Sequence, residues 1–129
     1  MQQFRMTGVF RDELEEFIAE EDLKYESSLS LPGQFGKPVP LDFLIFGRQT
    51  KSLVKTLSTG NSSASHNLSN EVFRCWYDLK QPQSGSQFVT VYDDRTNVFR
   101  DDDIDRLMTI SLVLAFPGEQ EKLKEAVAA

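Results

Sequence analysis

LDFLIFGRQTKSLVKTL, residues 41–57, is the stretch on which the fold turns. Leu41 to Phe46 is a near-continuous apolar run interrupted by Asp42, and it reads as a strand. Gly47, Arg48 and Gln49 make a tight turn. Thr50 to Leu57 then alternates, with Leu53, Lys55 and Leu57 on one side and Ser52, Val54 and Thr56 on the other. Upstream, Ser27 to Leu31 alternates Leu29 and Leu31 with serines as a short half-buried strand, and the Pro- and Gly-rich Pro32 to Pro40 turns the chain. Three consecutive strands result.

Working outward, Val9 to Tyr25 reads as an amphipathic helix. Phe10, Leu14, Phe17, Ile18 and Tyr25 fall near one face, and Asp12, Glu13, Glu15, Glu16, Glu20, Glu21 and Asp22 occupy the other. Downstream, Ser58 to Asn67 reads as a polar loop running into a helix start. The helix itself carries Leu68, Val72, Cys75, Trp76 and Leu79 at i, i+4, i+7, i+8 and i+11. Gln81 to Ser86 breaks it, and Gln87 to Tyr92 is β-branched and aromatic enough for a strand. Asp93, Asp94 and Arg95 begin a turn, and Asp101 to Asp103 supply a cap and favourable dipole charge to a short helix, Asp102 to Met108. Thr109 to Phe116 reads as a last strand, Pro117 and Gly118 as its exit, and Glu119 to Val127 as a terminal helix.

The order is therefore α-β-β-β-α-β-α-β-α. Adjacent strands early and helical crossovers later predict an α/β (α+β) architecture, with a mixed central sheet of about five strands flanked by helices. The 129 residues suit a single domain, residues 1–26 forming an N-terminal amphipathic helix and 27–129 the sheet and its packing helices.

Composition removes several chemistries. Fourteen Lys and Arg against 20 Asp and Glu give a net charge of −6, which disfavours autonomous nucleic-acid binding. One cysteine, Cys75, permits neither an intrachain disulfide nor a Cys-based zinc site, and on its apolar stripe it reads as a small buried hydrophobe. His66 is the single histidine, so His-pair zinc motifs are excluded; it reads as a solvated loop residue. Gly33 and Gly36 are followed by prolines and a strand, so they form no phosphate loop. No apolar run is long enough for a bilayer and no secretory signal stands at the start, which predicts a cytoplasmic chain with no membrane contact.

The first six elements resemble, in order, the restriction-endonuclease-like core of the PD-(D/E)XK superfamily. That resemblance implies an aspartate on the second strand and an acid-x-lysine on the third, gathering magnesium or manganese and positioning a water. Asp42 stands where the aspartate should be and Lys55 matches the lysine. The position two before Lys55 is Leu53, which has no oxygen to offer a metal, and Gln49 before Lys51 places a neutral amide in a turn. Asp42 alone is a poor metal ligand unless an acid of the first helix, Glu13 or Glu16, approaches. The favoured reading of Asp42 is a carboxylate that caps backbone amides or pairs with Lys55.

Spaced blocks between Tyr25 and Leu123 (LDFLIF, SLVKTLST, VFRCWYDLK, FVTVYDD, DDIDRL and ISLVLAF) resemble the bacterial and phage family called domain of unknown function eighteen-twenty-nine. The resemblance implies phage or mobile-element biology and carries no catalytic residues. The leading expectation is a non-catalytic protein-interaction module on a degenerate nuclease-like scaffold, an inhibitor or accessory of a host or defence factor, with no cofactor. Asp12, Glu15, Glu16 and Glu20 on the helix and Asp101 and Asp102 further on are its candidate binding residues for a protein partner. The alternative is a magnesium- or manganese-dependent nuclease using Asp42, Lys55 and Glu16, with Asp42 as metal ligand. A third reading is nucleic-acid binding without cleavage through Arg48, Lys51, Lys55 and Arg74, with Trp76 or Tyr77 as stacking surface.

Overall fold

A computed structural model describes residues 5–79 and 84–129. Among the described residues nine elements follow in the expected order: α1 (Arg5–Glu20), β1 (Lys24–Pro32), β2 (Pro38–Phe46), β3 (Lys51–Leu57), α2 (Ser62–Leu79), β4 (Ser86–Asp93), α3 (Asp101–Met108), β5 (Leu112–Phe116) and α4 (Gln120–Ala128). The five strands form one mixed sheet in sequence order. β1, β2 and β3 are an antiparallel meander, and β4 and β5 are each parallel to the strand before, as the crossovers α2 and α3 require. No helix among the described residues is long and apolar enough to cross a membrane.

Two apolar layers hold the sheet. On one face Phe10, Leu14, Phe17 and Ile18 of α1 and Leu123 and Val127 of α4 cover Phe43, Ile45, Val54, Val89, Val91 and Phe116. On the other, Val72 and Trp76 of α2 and Leu107 of α3 cover Leu41, Leu53, Leu57 and Phe88. Trp76 is fully buried, lies flat on Phe88 at 4.5 Å, and donates its Nε1–H to Thr90 Oγ1 at 2.8 Å. Burying the indole without that acceptor would cost a hydrogen bond.

Several expected boundaries move for identifiable reasons. α1 ends at Glu20, five residues before Tyr25, because Asp22 takes φ 59° and closes a Schellman motif, with Leu23 N–H on the Ile18 carbonyl and Asp22 N–H on that of Ala19. Tyr25 still packs on the α1 layer, but from β1. α2 begins at Ser62, within the expected loop: Asn61 caps it by accepting the Ser63 N–H on Oδ1 at 2.9 Å, and Ser65 and Ser69 are buried. The helix start is polar, so apolar periodicity does not reveal it. At α3 the expected aspartate cap is absent; Arg100 is the N-cap and makes no side-chain cap bond, while Asp101, Asp102 and Asp103 lie in the first turn. β5 is shorter than expected, since Thr109, Ile110 and Ser111 turn back onto the last carbonyls of α3. The expected break at Gln81 to Ser86 lies in part, residues 81–83, outside the described residues.

One irregularity shapes the sheet. β2 pairs with β3 only from Phe43 opposite Val54 to Phe46 opposite Lys51. Phe43 and Ile45 face the α1 layer, yet Leu41, two residues earlier, faces the α2 layer. The partner strand changes face at the same level: Tyr25 packs with α1 and Leu29 with α2. Ser28, between them, has φ 53°. Regular strands keep odd residues on one face, so the hairpin turns over at Ser28 and Asp42 and its tip folds toward α2. There Gln34 donates to the Asp78 and Tyr77 carbonyls at 2.9 Å each.

Candidate functional site

Asp42 sits at that turning point, and both its oxygens are engaged. Oδ2 accepts the Thr56 backbone N–H at 2.7 Å and the Thr56 hydroxyl at 3.0 Å; Oδ1 accepts Arg11 Nε at 3.1 Å. Arg11 reaches from α1, donates also to Ser28 Oγ at 2.6 Å and to the Asp42 carbonyl at 3.2 Å, and lies over the Phe43 ring at 5.0 Å. The carboxylate thus replaces a strand carbonyl where the ladder stops, and the guanidinium neutralises it. The amide-capping role expected for Asp42 is present. The expected pairing with Lys55 is not: Lys55 Nζ donates to the Pro40 carbonyl at 3.1 Å, and the cation on Asp42 is Arg11.

The divalent-metal set does not assemble around these groups. The α1 side chain that reaches Asp42 is a cation; Glu13 is bound to Arg95 at 2.7 Å, and Glu16 is exposed on the helix. Among the described residues no three His, Cys, Asp or Glu side chains converge as metal ligands would. The donors around Asp42 therefore do not fit magnesium or manganese, which want several oxygen ligands and no adjacent guanidinium.

The acidic candidates separate into bound and unbound groups. Glu15 accepts the Tyr25 hydroxyl at 2.9 Å, and that bond is the largest cause holding the Tyr25 phenol above its ordinary pKa. Glu21 pairs with Lys124 at 2.9 Å. Asp102 pairs with Arg100 at 3.0 Å, which lowers its pKa, and Asp101 is exposed in the same turn. Asp12, Glu16 and Glu20 are exposed at i, i+4 and i+8 on the outer side of α1 and make no ion pair among the described residues. Asp93, buried, is gripped by Arg95, whose guanidinium also spans to Glu13; hydrogen bonds to these two carboxylates raise its pKa.

On the opposite face, His66 is not a loop residue. It lies in the second turn of α2, with Nδ1 at 2.9 and 3.1 Å from the two oxygens of Asp103, which is buried at the start of α3. Asn70 Nδ2 stands 3.3 Å from His66 Nε2. The arrangement suits an imidazole that donates through Nδ1 and accepts through Nε2, tying the two helices together.

Beside this tie runs a groove of about 380 Å³ lined by Asn70, Phe73, Arg74, Tyr77 and Arg106. The four α2 residues recur at i, i+3, i+4 and i+7, a second stripe beside the buried one, and Arg106 of α3 lies over the Phe73 ring at 5.0 Å. Of the residues proposed for nucleic-acid contact, Arg74 and Tyr77 share this groove. Trp76 is buried, Lys55 is turned to Pro40, Lys51 lies 5.9 Å over the Phe46 ring, and Arg48 is exposed in the turn that meets the C-terminus. Cys75 is half-buried and belongs to neither apolar layer, so it is less enclosed than its place on the stripe predicts; burial pushes its thiol pKa up.

Fold and groove together define an α+β protein with a mixed sheet, a neutralised acidic position on its second strand and an open polar-aromatic cleft between two helices. The chain is similar in fold to the solved structure of a protein of unknown function, AF1548, with a TM-score of 0.62 at 10% identity; the match covers 90% of this chain and 64% of that one. The likeness shows a shared fold only. No family model and no curated protein matches the chain.

Proposed function

We propose that the chain is a non-catalytic interaction module on a nuclease-like scaffold, which engages a basic protein surface through the outer side of α1. The observation that carries this reading is the state of Asp42. Its carboxylate is tied to Thr56 and Arg11 and serves the sheet, so the one strand acid in the right place for phosphoryl chemistry is withdrawn from it. Like charges at i, i+4 spacing destabilise a helix by a few tenths of a kcal/mol, and Asp12, Glu16 and Glu20 carry that cost with no internal partner among the described residues. A basic partner would offset it and gain steering from the net charge of −6.

The resemblance to domain of unknown function eighteen-twenty-nine supplies the setting: a phage or mobile-element accessory acting on a host or defence factor in the host cytoplasm. The test is a magnesium and manganese nuclease assay on the parent, Asp42→Ala and Lys55→Ala, beside partner capture by the parent and by a triple Asp12→Lys, Glu16→Lys, Glu20→Lys variant. The reading requires no metal-dependent cleavage by any of the three, and capture that the triple variant loses. Cleavage by the parent that both single variants lack would replace it with the nuclease reading.

A further inference from the structure

The α2–α3 groove lies on the face opposite α1, and its chemistry differs from the rest of this acidic chain. Among the described residues its lining holds two arginines, two aromatic rings and one amide, and no carboxylate. Arg11, Arg95 and Arg100 are each held by carboxylates, whereas Arg74 and Arg106 have no ion-pair partner among the described residues. Of the nearby acids, Asp102 pairs with Arg100 and Asp103 with His66; Glu71, Asp78 and Asp105 do not line the groove and make no ion pair with its arginines among the described residues. The Arg106 guanidinium lies over the Phe73 ring at 5.0 Å, a contact that does not use its N–H groups. Tyr77 leaves 57% of its surface exposed, an aromatic face set in the lining. Asn70 also lines the groove, its Oδ1 buried and without a hydrogen-bond partner among the described residues. The His66–Asp103 pair holds α2 to α3, so the walls are set before a ligand arrives.

We propose that this groove binds single-stranded nucleic acid, with one base stacked on Tyr77 and the flanking phosphates held by Arg74 and Arg106. A ligand that is both anionic and planar satisfies the guanidinium pair and the exposed ring together. An acidic peptide satisfies only the former. A duplex hides its base faces from Tyr77, so the strand must be single. Two phosphate contacts on a chain of net charge −6 give weak binding with a shallow salt dependence, a slope of about −1.4 in log K against log salt, and base stacking supplies the remainder.

The experiment is fluorescence anisotropy of labelled oligothymidylate with the full chain at low salt. Its competitors are unlabelled oligothymidylate, a duplex of equal length and polyglutamate. Binding should fall by about sevenfold between roughly 50 and 200 mM salt, and Tyr77→Ala and Arg74→Ala should each weaken it by about fivefold or more. Both side chains are exposed on α2, so the variants keep the fold, which circular dichroism checks. Arg48→Ala, in the β2–β3 turn beside Ala128 and outside the groove lining, should leave binding unchanged. Amide shifts in the parent should cluster at residues 70–77 and 106 on titration with the unlabelled strand. Failure to bind at low salt, indifference to both groove variants, or equal competition by polyglutamate or duplex would each overturn the proposal. The charge-reversal variant of α1 tests the basic-partner surface independently of this groove.

Discussion

Arg11 and Asp42 stand 31 residues apart and meet at 3.1 Å, at the level where the β1–β2 hairpin turns over. The pair joins α1 to the sheet in the position where the nuclease reading would place a metal. Asp42→Ala should cost about 2 kcal/mol, since it frees the Thr56 N–H and leaves a half-buried guanidinium without its partner. Asp42→Asn keeps an acceptor for Thr56 and should lose less. Urea unfolding midpoints of the two variants would check the order; equal losses would mean that the Thr56 bond contributes little.

The fully buried indole gives a second expectation. Trp76 is the only tryptophan, so intrinsic fluorescence reports this one site. Its emission should be blue-shifted and resist iodide quenching. Trp76→Phe, which removes the bond to Thr90 Oγ1, should destabilise by about 1 kcal/mol or more. Ready quenching in the native protein would place the ring in solvent and contradict the α2 packing.

The helix tie on the groove side makes a third. His66→Ala leaves the buried Asp103 carboxylate without the imidazole and should cost about 1–3 kcal/mol. Amide exchange should then rise first in α3, which is short and rests on this contact. Unchanged exchange there would show that α3 does not depend on the His66–Asp103 contact.

Acid sensitivity follows from Glu119. Its carboxylate accepts the Ala115 N–H at 2.9 Å, and that bond, with help from Lys122, holds its pKa below the ordinary carboxylate value. The folded form therefore binds this proton less readily than the unfolded chain. The stabilisation is complete above the unfolded pKa of about 4.3 and is lost as pH falls through the lower folded value. Glu119→Gln should flatten the acid limb of a stability–pH curve measured by urea unfolding between pH 6 and 3. Parallel curves for parent and variant would remove Glu119 as a source of that limb.

Gly47 gives a steric expectation. A Cβ there would approach the Val127 carbonyl to 2.5 Å, because Arg48 and Gln49 donate to the Ala128 and Ala129 carbonyls and draw the C-terminus against the β2–β3 turn. Gly47→Ala should cost about 1–3 kcal/mol in thermal or urea unfolding. A neutral substitution would mean that the terminus detaches freely.

The strand triplet around residues 41–57 and the Val72–Trp76 stripe were legible because apolar periodicity is a local signal. The start of α2 was not, since Ser65 and Ser69 are buried through hydrogen bonds to their own helix carbonyls and carry no apolar mark. Pairings such as Arg11–Asp42 and His66–Asp103 join residues 31 and 37 apart, and charge complementarity at that range leaves no period to read. The groove was half visible: Arg74 and Tyr77 stood out as a cation and an aromatic, but their kinship with Asn70 and Phe73 needed the i, i+3, i+4, i+7 count applied to the polar side of α2. Arg106 needed the α3 crossover.

Manganese titration of the native protein, followed by paramagnetic broadening of backbone amides, tests most directly whether the strand carboxylate is structural. With the carboxylate held by Thr56 and Arg11, the Asp42, Thr56 and Arg11 amides should stay sharp through millimolar ion. Saturable broadening centred on those three residues, abolished by Asp42→Asn in a folded protein, would contradict it.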